Sequence, residues 1–303
     1  MKQREERQKH LTTERFLLVI FLSLNLSVGT FCQELSAMPI HCPIDFPRIN
    51  DDEMRSIDYK VMEHVFATHN ELGRLADETV YHHKLQLRLR AAGMKASIEV
   101  PIRLSFREFV LPLAMDLAVE EKVIYELKSV SALLPVHESQ LLAYMFMTDS
   151  THGKLVNFRT KSVESRFVNT TFTSTERRQF HFDTTKYAGN SSLSDLIREL
   201  IGDWGTGLSA SLYRRAVLHC YATDIEVEQL LPMKSAGESI GNQRFHLLNA
   251  RSALGVTTFA KTEQDNFTEF RKLISASPLS QLHWLNVTHR QVTLATIKND
   301  RKI

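Results

Sequence analysis

The stretch from Met115 to Lys128 constrains this chain most strongly, because two apolar runs there flank the charged triplet Glu120-Glu121-Lys122. Apolar runs on both sides of a short charged break are typical of a β-hairpin whose turn is the break. If the turn is centred on the middle residue of the triplet, Asp116 lies directly opposite Glu126. The spacing therefore predicts two carboxylates on one face of the hairpin, on carbons about 5 Å apart.

Lys128 lies two residues beyond Glu126, and side chains alternate along a strand. Its ammonium group is therefore expected on the face of the two carboxylates, whereas Tyr125 and Leu127 point to the opposite face. Paired oxygen ligands recruit Mg²⁺ or Mn²⁺, and an adjacent lysine can orient or deprotonate a water for attack on phosphorus. The same residues would also form an ordinary salt bridge on a surface hairpin. The surrounding sequence has to distinguish a metal site from a salt bridge.

The segments around the hairpin predict an ordered α/β core. Pro135 opens a helix that carries Gln140 and Tyr144 four residues apart, and therefore on one face. The other predicted elements are two helices (Arg55 to Glu71 and Glu78 to Ala92), a first strand (Ser97 to Leu104) and a last strand (Lys154 to Phe158). The predicted order is helix, three strands, helix and strand, or αβββαβ.

These motifs resemble the PD-(D/E)XK nuclease superfamily, in particular its RecB-like branch, which has a Gln-x-x-x-Tyr helix after the Glu-x-Lys strand. Within the superfamily the chain is similar to the GxxExxY-type proteins. Glu126 to Ser129 and His137 to Tyr144 match two motifs of these proteins, and Glu78 and Tyr81 match a third. The resemblance covers about Arg55 to Val168 and implies a restriction-endonuclease-like core.

The resemblance implies a divalent metal, Mg²⁺ or Mn²⁺, held by Asp116 and Glu126, with the Leu127 carbonyl as a further oxygen ligand. In the similar nucleases the Glu of the first motif points toward the metal. Glu78 is therefore either an auxiliary ligand or a simple cap at the start of its helix. The neighbouring pair His82-His83 is less suited to metal binding, because successive residues of a helix point about 100° apart. We expect both imidazoles on a solvated face.

For catalysis, the resemblance implies that Lys128 positions the attacking water and that Gln140 and Tyr144 orient the site or the nucleic-acid strand. Leu75 stands where the similar proteins have Gly, and Arg74 where they have Pro. Gly and Pro would shape a turn there and supply no functional group. The departure therefore concerns backbone geometry rather than chemistry.

Basic residues in and after the last predicted strand are candidates for phosphate contacts. Lys154, Arg159 and Lys161 are predicted to bind nucleic acid, with DNA preferred to RNA, although each one singly also fits a solvated basic edge. The net charge of +2 indicates neither a polybasic arm nor an acidic tail. A local basic groove would be sufficient for binding.

The N-terminal segment, residues 1–37, combines a basic start with an apolar run from Phe16 to Val28. This run has about the length of a signal-peptide core and is too short to span a membrane as a helix. We expect an upstream segment ahead of a physiological start at Met38, in a cytoplasmic protein without stable membrane association. An exported protein with a working signal peptide is the alternative. Three widely spaced cysteines support neither a disulfide framework nor a zinc site.

The predicted domain organisation is a nuclease-like domain at residues 38–170, a Thr- and Ser-rich linker at 171–192 and a second α/β domain at 193–303. The last of these is predicted to be a degenerate copy of the first core. Trp204 to Tyr213 resembles Leu72 to Tyr81, and Asn249 and Phe259 stand at the spacing of the two acids. Without those acids a copy cannot bind a divalent metal. Coincidence of short apolar strands is the alternative.

Together these patterns predict a Mg²⁺- or Mn²⁺-dependent nuclease that hydrolyses phosphodiester bonds. The opposing hypothesis is a catalytically silent module that binds nucleic acid or protein and kept the nuclease fold, because one fold hosts many functions. In that case the acids and the lysine would form only an ion-paired cluster.

Overall fold

The structure is a computed structural model that describes residues 38–222, 227–258 and 263–300. These residues form two six-stranded sheets flanked by helices, an α/β architecture as predicted. From Pro39 onward they belong to one compact unit. The predicted leader segment lies outside the described residues. Within the described part of the chain, no helix is both long and apolar enough to cross a membrane.

The first half of the chain contains the predicted order of elements. Its elements are β1 (Ile40–His41), α1 (Asp51–Leu72), α2 (Glu78–Ala91), β2 (Ala96–Phe106), β3 (Phe109–Val119), β4 (Val123–Lys128), α3 (Pro135–Thr148), β5 (His152–Asn157) and β6 (Glu164–Asn169). The strands follow one another across the sheet in chain order. Neighbouring strands are antiparallel except for β4 and β5, which run parallel because α3 crosses over between them.

Local sequence signals set the helix ends. The Asn50 side chain accepts a hydrogen bond from the Glu53 N–H at 2.9 Å and caps α1, whose first turn is acidic. Gly73 ends this helix at a φ of 67°, a left-handed conformation that glycine adopts without strain. Pro135 is the first residue of α3, where its missing N–H has no consequence.

The second half begins earlier than the sequence predicts. The remaining elements are α4 (Ser174–Arg177), β7 (His181–Asp183), α5 (Ser191–Trp204), α6 (Ala210–Tyr221), β8 (Glu228–Ser235), β9 (Glu238–Asn249), β10 (Ser252–Thr257), α7 (Glu263–Ser275), β11 (Gln281–Val287) and β12 (Gln291–Lys298). The segment 171–192 is thus not a linker, because it contains α4 and β7. Arg177 within it is buried and donates hydrogen bonds to the carbonyls of Phe146, Trp204 and Thr206.

The second sheet has the order β7-β12-β11-β10-β9-β8. The strands β8, β9 and β10 are successively antiparallel, β10 is parallel to β11, and β11 is antiparallel to β12. The same sequence of directions runs from β2 to β6 in the first sheet. Each half therefore has two helices, three antiparallel strands, a crossover helix and two further strands.

One detailed expectation about the second half is wrong. Asn249 is the last residue of β9, and its Oδ1 accepts hydrogen bonds from the N–H groups of Arg251 and Ser252, both at 3.0 Å. It closes a turn, whereas Asp116 lies within a strand, so Asn249 does not take the place of that acid. Phe259 lies outside the described residues.

Three apolar cores formed by the described residues hold these layers together. Apolar side chains of α1 and α2 pack on one face of the first sheet. The other face shares a large core with α3, with α5 and α6, and with the second sheet. The helix α7 covers the remaining face of the second sheet. The predicted site lies on the α3 side of β4, where Ile124 joins the large core, while Tyr125 and Leu127 join the core under α1 and α2.

Candidate functional site

The hairpin of β3 and β4 has the predicted register. Leu117 pairs with Tyr125 and Val119 with Val123, so the turn is centred on Glu121. Both Glu120 and Glu121 have a φ of 55°, the left-handed conformation that a tight hairpin turn requires. Non-glycine residues adopt it at some cost. Glu120 offsets part of it, because its Oε1 accepts a hydrogen bond from the Lys95 N–H at 2.9 Å.

Asp116 is fixed where the two strands stop pairing. The last pair of the ladder is Leu117 with Tyr125. One residue further along β3, Asp116 Oδ2 accepts a hydrogen bond from the Leu127 N–H at 2.9 Å and another from Lys128 Nζ at 3.1 Å. A carboxylate thus satisfies a backbone donor that the ladder leaves open. These contacts hold Asp116 on the face of β4 that carries Glu126 and Lys128, as predicted.

Glu126 is fully buried, and the ammonium group of Lys128 lies beside it. Lys128 Nζ forms ion pairs with Glu126, with Asp116 at 3.1 Å and with Glu78 at 3.8 Å. Apart from the ion pair, neither Glu126 oxygen has a hydrogen-bond partner among the described residues. Three carboxylates surround one ammonium, so the cluster carries excess negative charge. Burying such charge is unfavourable unless a further cation or proton neutralises it.

The pKa values of this cluster follow from that imbalance. Burial and the negative charge of Asp116 raise the pKa of Glu126 to about 8, although Lys128 partly opposes the shift. Burial by itself lowers the pKa of Lys128, but the carboxylates of Glu126, Asp116 and Glu78 outweigh it and raise the pKa. The lysine therefore stays an ammonium at neutral pH. Without another cation, Glu126 retains a proton near neutral pH.

Glu78 and His82 complete the site from α2. Glu78 Oε2 accepts a hydrogen bond from the Ser129 N–H at 3.0 Å, which ties the start of α2 to the end of β4. His82 lies one turn further on, is only 5% exposed, and its Nε2 has no partner among the described residues. An orphaned buried nitrogen of this kind costs about 1–3 kcal/mol. Glu78, His82 and Asp116 can each offer one ligand atom, and these atoms lie within 4.8 Å of one another.

The expectation that both His82 and His83 face solvent is therefore wrong for His82. His83 is exposed, and its Nδ1 donates to the Thr79 carbonyl at 2.7 Å. Successive side chains of a helix point about 100° apart, so His82 and His83 lie on different faces of α2. His82 points into the protein and His83 points to solvent. The spacing of four residues between Glu78 and His82 was the available signal for a shared face.

Tyr81 fixes the loop that precedes α2. Its hydroxyl donates to the Gly73 carbonyl at 2.7 Å and accepts a hydrogen bond from the Ala76 N–H at 3.2 Å. The ring stacks on Phe158 with the centroids 4.4 Å apart. The tyrosine of the first motif is thus structural, and it positions Glu78 by holding the loop in front of it.

One face of α3 lies along the cluster. Gln140 Nε2 donates to the Tyr144 hydroxyl at 3.3 Å, and Tyr144 is buried. Burial and then the charge of Glu126 raise the pKa of Tyr144, so its hydroxyl keeps its proton. His137 shares this face by helical spacing. Its Nδ1 accepts a hydrogen bond from the Leu134 N–H at 3.0 Å, and burial followed by the charge of Lys128 lowers its pKa. The sequence prediction of site residues missed His137.

The three predicted phosphate contacts differ in position. Lys154 is buried, its Nζ donates to Asp58 Oδ2 at 2.6 Å, and it lies 4.1 Å from the ring centre of Phe167. This position argues against the predicted contact of Lys154 with nucleic acid, because the ammonium is already paired inside the protein. Arg159 is half-buried with its Nε 3.5 Å from the Ser129 carbonyl, close to the end of β4. Lys161 is exposed.

Comparison with known proteins gives three results. No curated protein matches the chain. The crystal structure of SSO0001 is similar at 19% identity over 38% of this chain and 68% of that one, with a TM-score of 0.26. Residues 55–168, which include the hairpin, α2 and α3, match the family model of the PD-(D/E)XK nuclease superfamily.

Proposed function

We propose that this protein is a divalent-metal-dependent nuclease that hydrolyses phosphodiester bonds, with DNA as the first substrate to test. The observation that carries the proposal is the excess negative charge around Glu126, which is fully buried and, within the described residues, is paired only with Lys128. Burying these charges costs desolvation free energy, and apolar side chains in their place would leave the protein about as stable. A purely structural role therefore does not explain the cluster. The match of residues 55–168 to a nuclease superfamily supports this function over other uses of a cation.

The available donors fit a divalent cation of the Mg²⁺ or Mn²⁺ kind, because they are mostly carboxylate oxygens. The proposed ligands are Asp116, Glu126, Glu78, His82 and the Leu127 carbonyl. The cation would act as a Lewis acid on the scissile phosphate. The protein contributes a fixed arrangement, because backbone N–H groups of Leu127 and Ser129 hold two of the carboxylates.

The neighbouring side chains have separate proposed roles. Lys128 is held as an ammonium by its raised pKa, so we assign it to orient the attacking water and to stabilise developing negative charge rather than to accept a proton. Tyr144 keeps its proton and is oriented by Gln140 at 3.3 Å. Arg159 and Lys161 are the remaining predicted contacts to the phosphate backbone.

Cleavage assays with the full chain test this function. Labelled DNA and RNA, each single- and double-stranded, are incubated with Mn²⁺ or Mg²⁺, and a chelator should stop cleavage. Glu126→Gln and Lys128→Ala should each lower the rate by about 10²-fold or more, because each removes a charge that acts on the reaction. Glu121→Gln is the matched control, since this residue lies in the turn of the same hairpin and pairs with Lys95.

The opposing function, a silent binding module, predicts a different result. Wild-type protein and both variants would then bind nucleic acid or protein equally and cleave nothing under any condition. Absence of cleavage combined with absence of Mn²⁺ binding would overturn the nuclease proposal.

We also propose that the second half is a degenerate copy of the first nuclease-like core. The order and direction of strands β8 to β12, which repeat those of β2 to β6, support this. A second support is a repeated hydrogen-bond pattern. The Tyr213 hydroxyl donates to the Gly205 carbonyl at 2.6 Å and accepts from the Leu208 N–H at 3.1 Å, as Tyr81 does with Gly73 and Ala76 at the same sequence separations.

The strand register indicates what replaces the acids. In the first sheet Lys128 on β4 pairs with Asn157 on β5, and in the second sheet Thr257 on β10 pairs with Asn286 on β11. Aligning the two asparagines therefore places Thr257 at the position of Lys128. Gly255, two residues earlier, then stands at the position of Glu126. A Cβ at Gly255 would lie 3.4 Å from the ring of Phe270. An apolar ring thus fills the space that the carboxylate needs in the first half.

This copy should therefore bind no divalent metal. Titration of the full chain with Mn²⁺ is expected to give one high-affinity centre, which is lost when Asp116 and Glu126 are both changed to amides. A centre that persists in that double variant would contradict the proposal of a metal-free second half.

A further inference from the structure

His82 brings a nitrogen donor into a site otherwise made of oxygen donors. It is buried, and its Nε2 has no hydrogen-bond partner in the part of the chain that the structure describes. Buried imidazoles normally satisfy both ring nitrogens, so this nitrogen is available to a ligand. His83, the next residue, differs in both respects, because it is exposed and bonded to Thr79.

The groups facing His82 define the charge around it. Glu78 precedes it by one helical turn, and Asp116 approaches from β3, with one atom of each residue within 4.8 Å of the others. Lys128 Nζ lies beyond them, 3.1 Å from Asp116 and 3.8 Å from Glu78. Two carboxylates and one imidazole, with ligand atoms this close together, form a mixed oxygen and nitrogen ligand set.

Resting on the proposed function, we propose that His82 is a direct ligand that makes this centre select Mn²⁺ over Mg²⁺. Mg²⁺ prefers an octahedral shell of oxygens and gains little from imidazole. Imidazole suits first-row transition ions, and among them Mn²⁺ is the one best matched to a shell that is otherwise carboxylate. The selectivity resides in one side chain, so one substitution should remove it.

The test measures binding and needs no catalysis. Mn²⁺ affinity is measured by electron paramagnetic resonance and calorimetry on the full chain, and Mg²⁺ affinity by competition with Mn²⁺. His82→Gln should weaken Mn²⁺ binding by about tenfold to a hundredfold and Mg²⁺ binding much less, so the ratio of affinities falls. His83→Gln is the control and should leave both affinities unchanged. Electron spin-echo modulation from a ¹⁴N ligand should appear in wild type and disappear in His82→Gln.

His82→Glu provides a second variant with an oxygen donor. It should bind both ions, with the ratio shifted toward Mg²⁺. An unchanged ratio in His82→Gln, or ¹⁴N modulation that persists there, would overturn the selectivity proposal while leaving the nuclease proposal intact. If wild type binds neither ion, both the selectivity and the metal dependence of the proposed nuclease are refuted.

Discussion

The metal-free protein should lose stability as pH rises through the neutral range, and Glu126 should be the cause. Its pKa rises from 4.5 to about 8 in the folded protein because of burial and the charge of Asp116. The folded state therefore holds a proton that the unfolded state has released between these two pH values. Stability decreases with pH wherever the folded state binds more protons, so the loss begins near pH 4.5 and is complete above about pH 8.

The magnitude follows from the two pKa values. This pKa difference corresponds to roughly 5 kcal/mol of unfolding free energy across the window and to roughly 3 kcal/mol at pH 7. Lys128 does not change the trend, because its pKa is raised and it remains fully charged below its unfolded value. Glu126→Gln removes the titrating group and leaves Lys128 paired with Asp116 and Glu78.

Urea denaturation followed by circular dichroism, with a chelator present, measures the effect at pH 5, 6, 7 and 8. Wild type and Glu126→Gln should agree to within about 1 kcal/mol at pH 5 and should diverge by roughly 3 kcal/mol at pH 7, with the variant more stable. Mn²⁺ in place of the chelator should restore wild-type stability at pH 7 and have little effect on the variant. Parallel pH curves for the two proteins would refute the reasoning.

Other substitutions test individual parts of the structure. Lys154→Met should lower the unfolding free energy by about 3–5 kcal/mol, because it leaves the buried Asp58 without its ion-pair partner. The substitution should not change DNA affinity in a filter-binding assay. Weaker DNA binding would show that Lys154 does contact phosphate. Tyr81→Phe and Tyr213→Phe should each cost about 1–3 kcal/mol in urea denaturation, since each leaves a loop carbonyl and N–H unsatisfied; a large effect in only one would argue against equivalent roles. Gly207→Ala should lower the unfolding free energy by about 2–4 kcal/mol, because the residue has a φ of 89° and a Cβ there would lie 2.7 Å from the Phe146 ring; an unchanged melting temperature would contradict this.

The centre of the site could be predicted from sequence because it depends on strand periodicity. A period of two and a charged turn fix which residues face one another, so Asp116, Glu126 and Lys128 meet as expected. The order of helices and strands around them follows from equally local signals. Pro135 and Gly73 mark helix ends through backbone conformations that are properties of single residues.

Errors arose where side-chain direction depends on a distant element. His82 and His83 have the same local sequence context, and only the packing of α2 against the first sheet decides which one is buried. Lys154 is a basic residue on β5, and its local sequence is compatible with a surface position. Its side chain is buried because it forms an ion pair with Asp58 on α1. The segment 171–192 reads as a linker because its elements are only four and three residues long. Arg177 is fixed there by three carbonyls, that of Phe146 on α3 and those of Trp204 and Thr206 at the end of α5, which composition cannot reveal.

The most direct test of the central claim measures metal occupancy and DNA cleavage in the same samples. Mn²⁺ is titrated into the full chain with labelled DNA, free Mn²⁺ is followed by electron paramagnetic resonance, and product is quantified at each concentration. The proposed function predicts that cleavage rate rises in proportion to occupancy of one centre, and that Glu126→Gln weakens binding and removes cleavage together. Cleavage that saturates at a different Mn²⁺ concentration from binding, or that persists in Glu126→Gln, would show that the cluster of Asp116, Glu126 and Lys128 is not the catalytic centre.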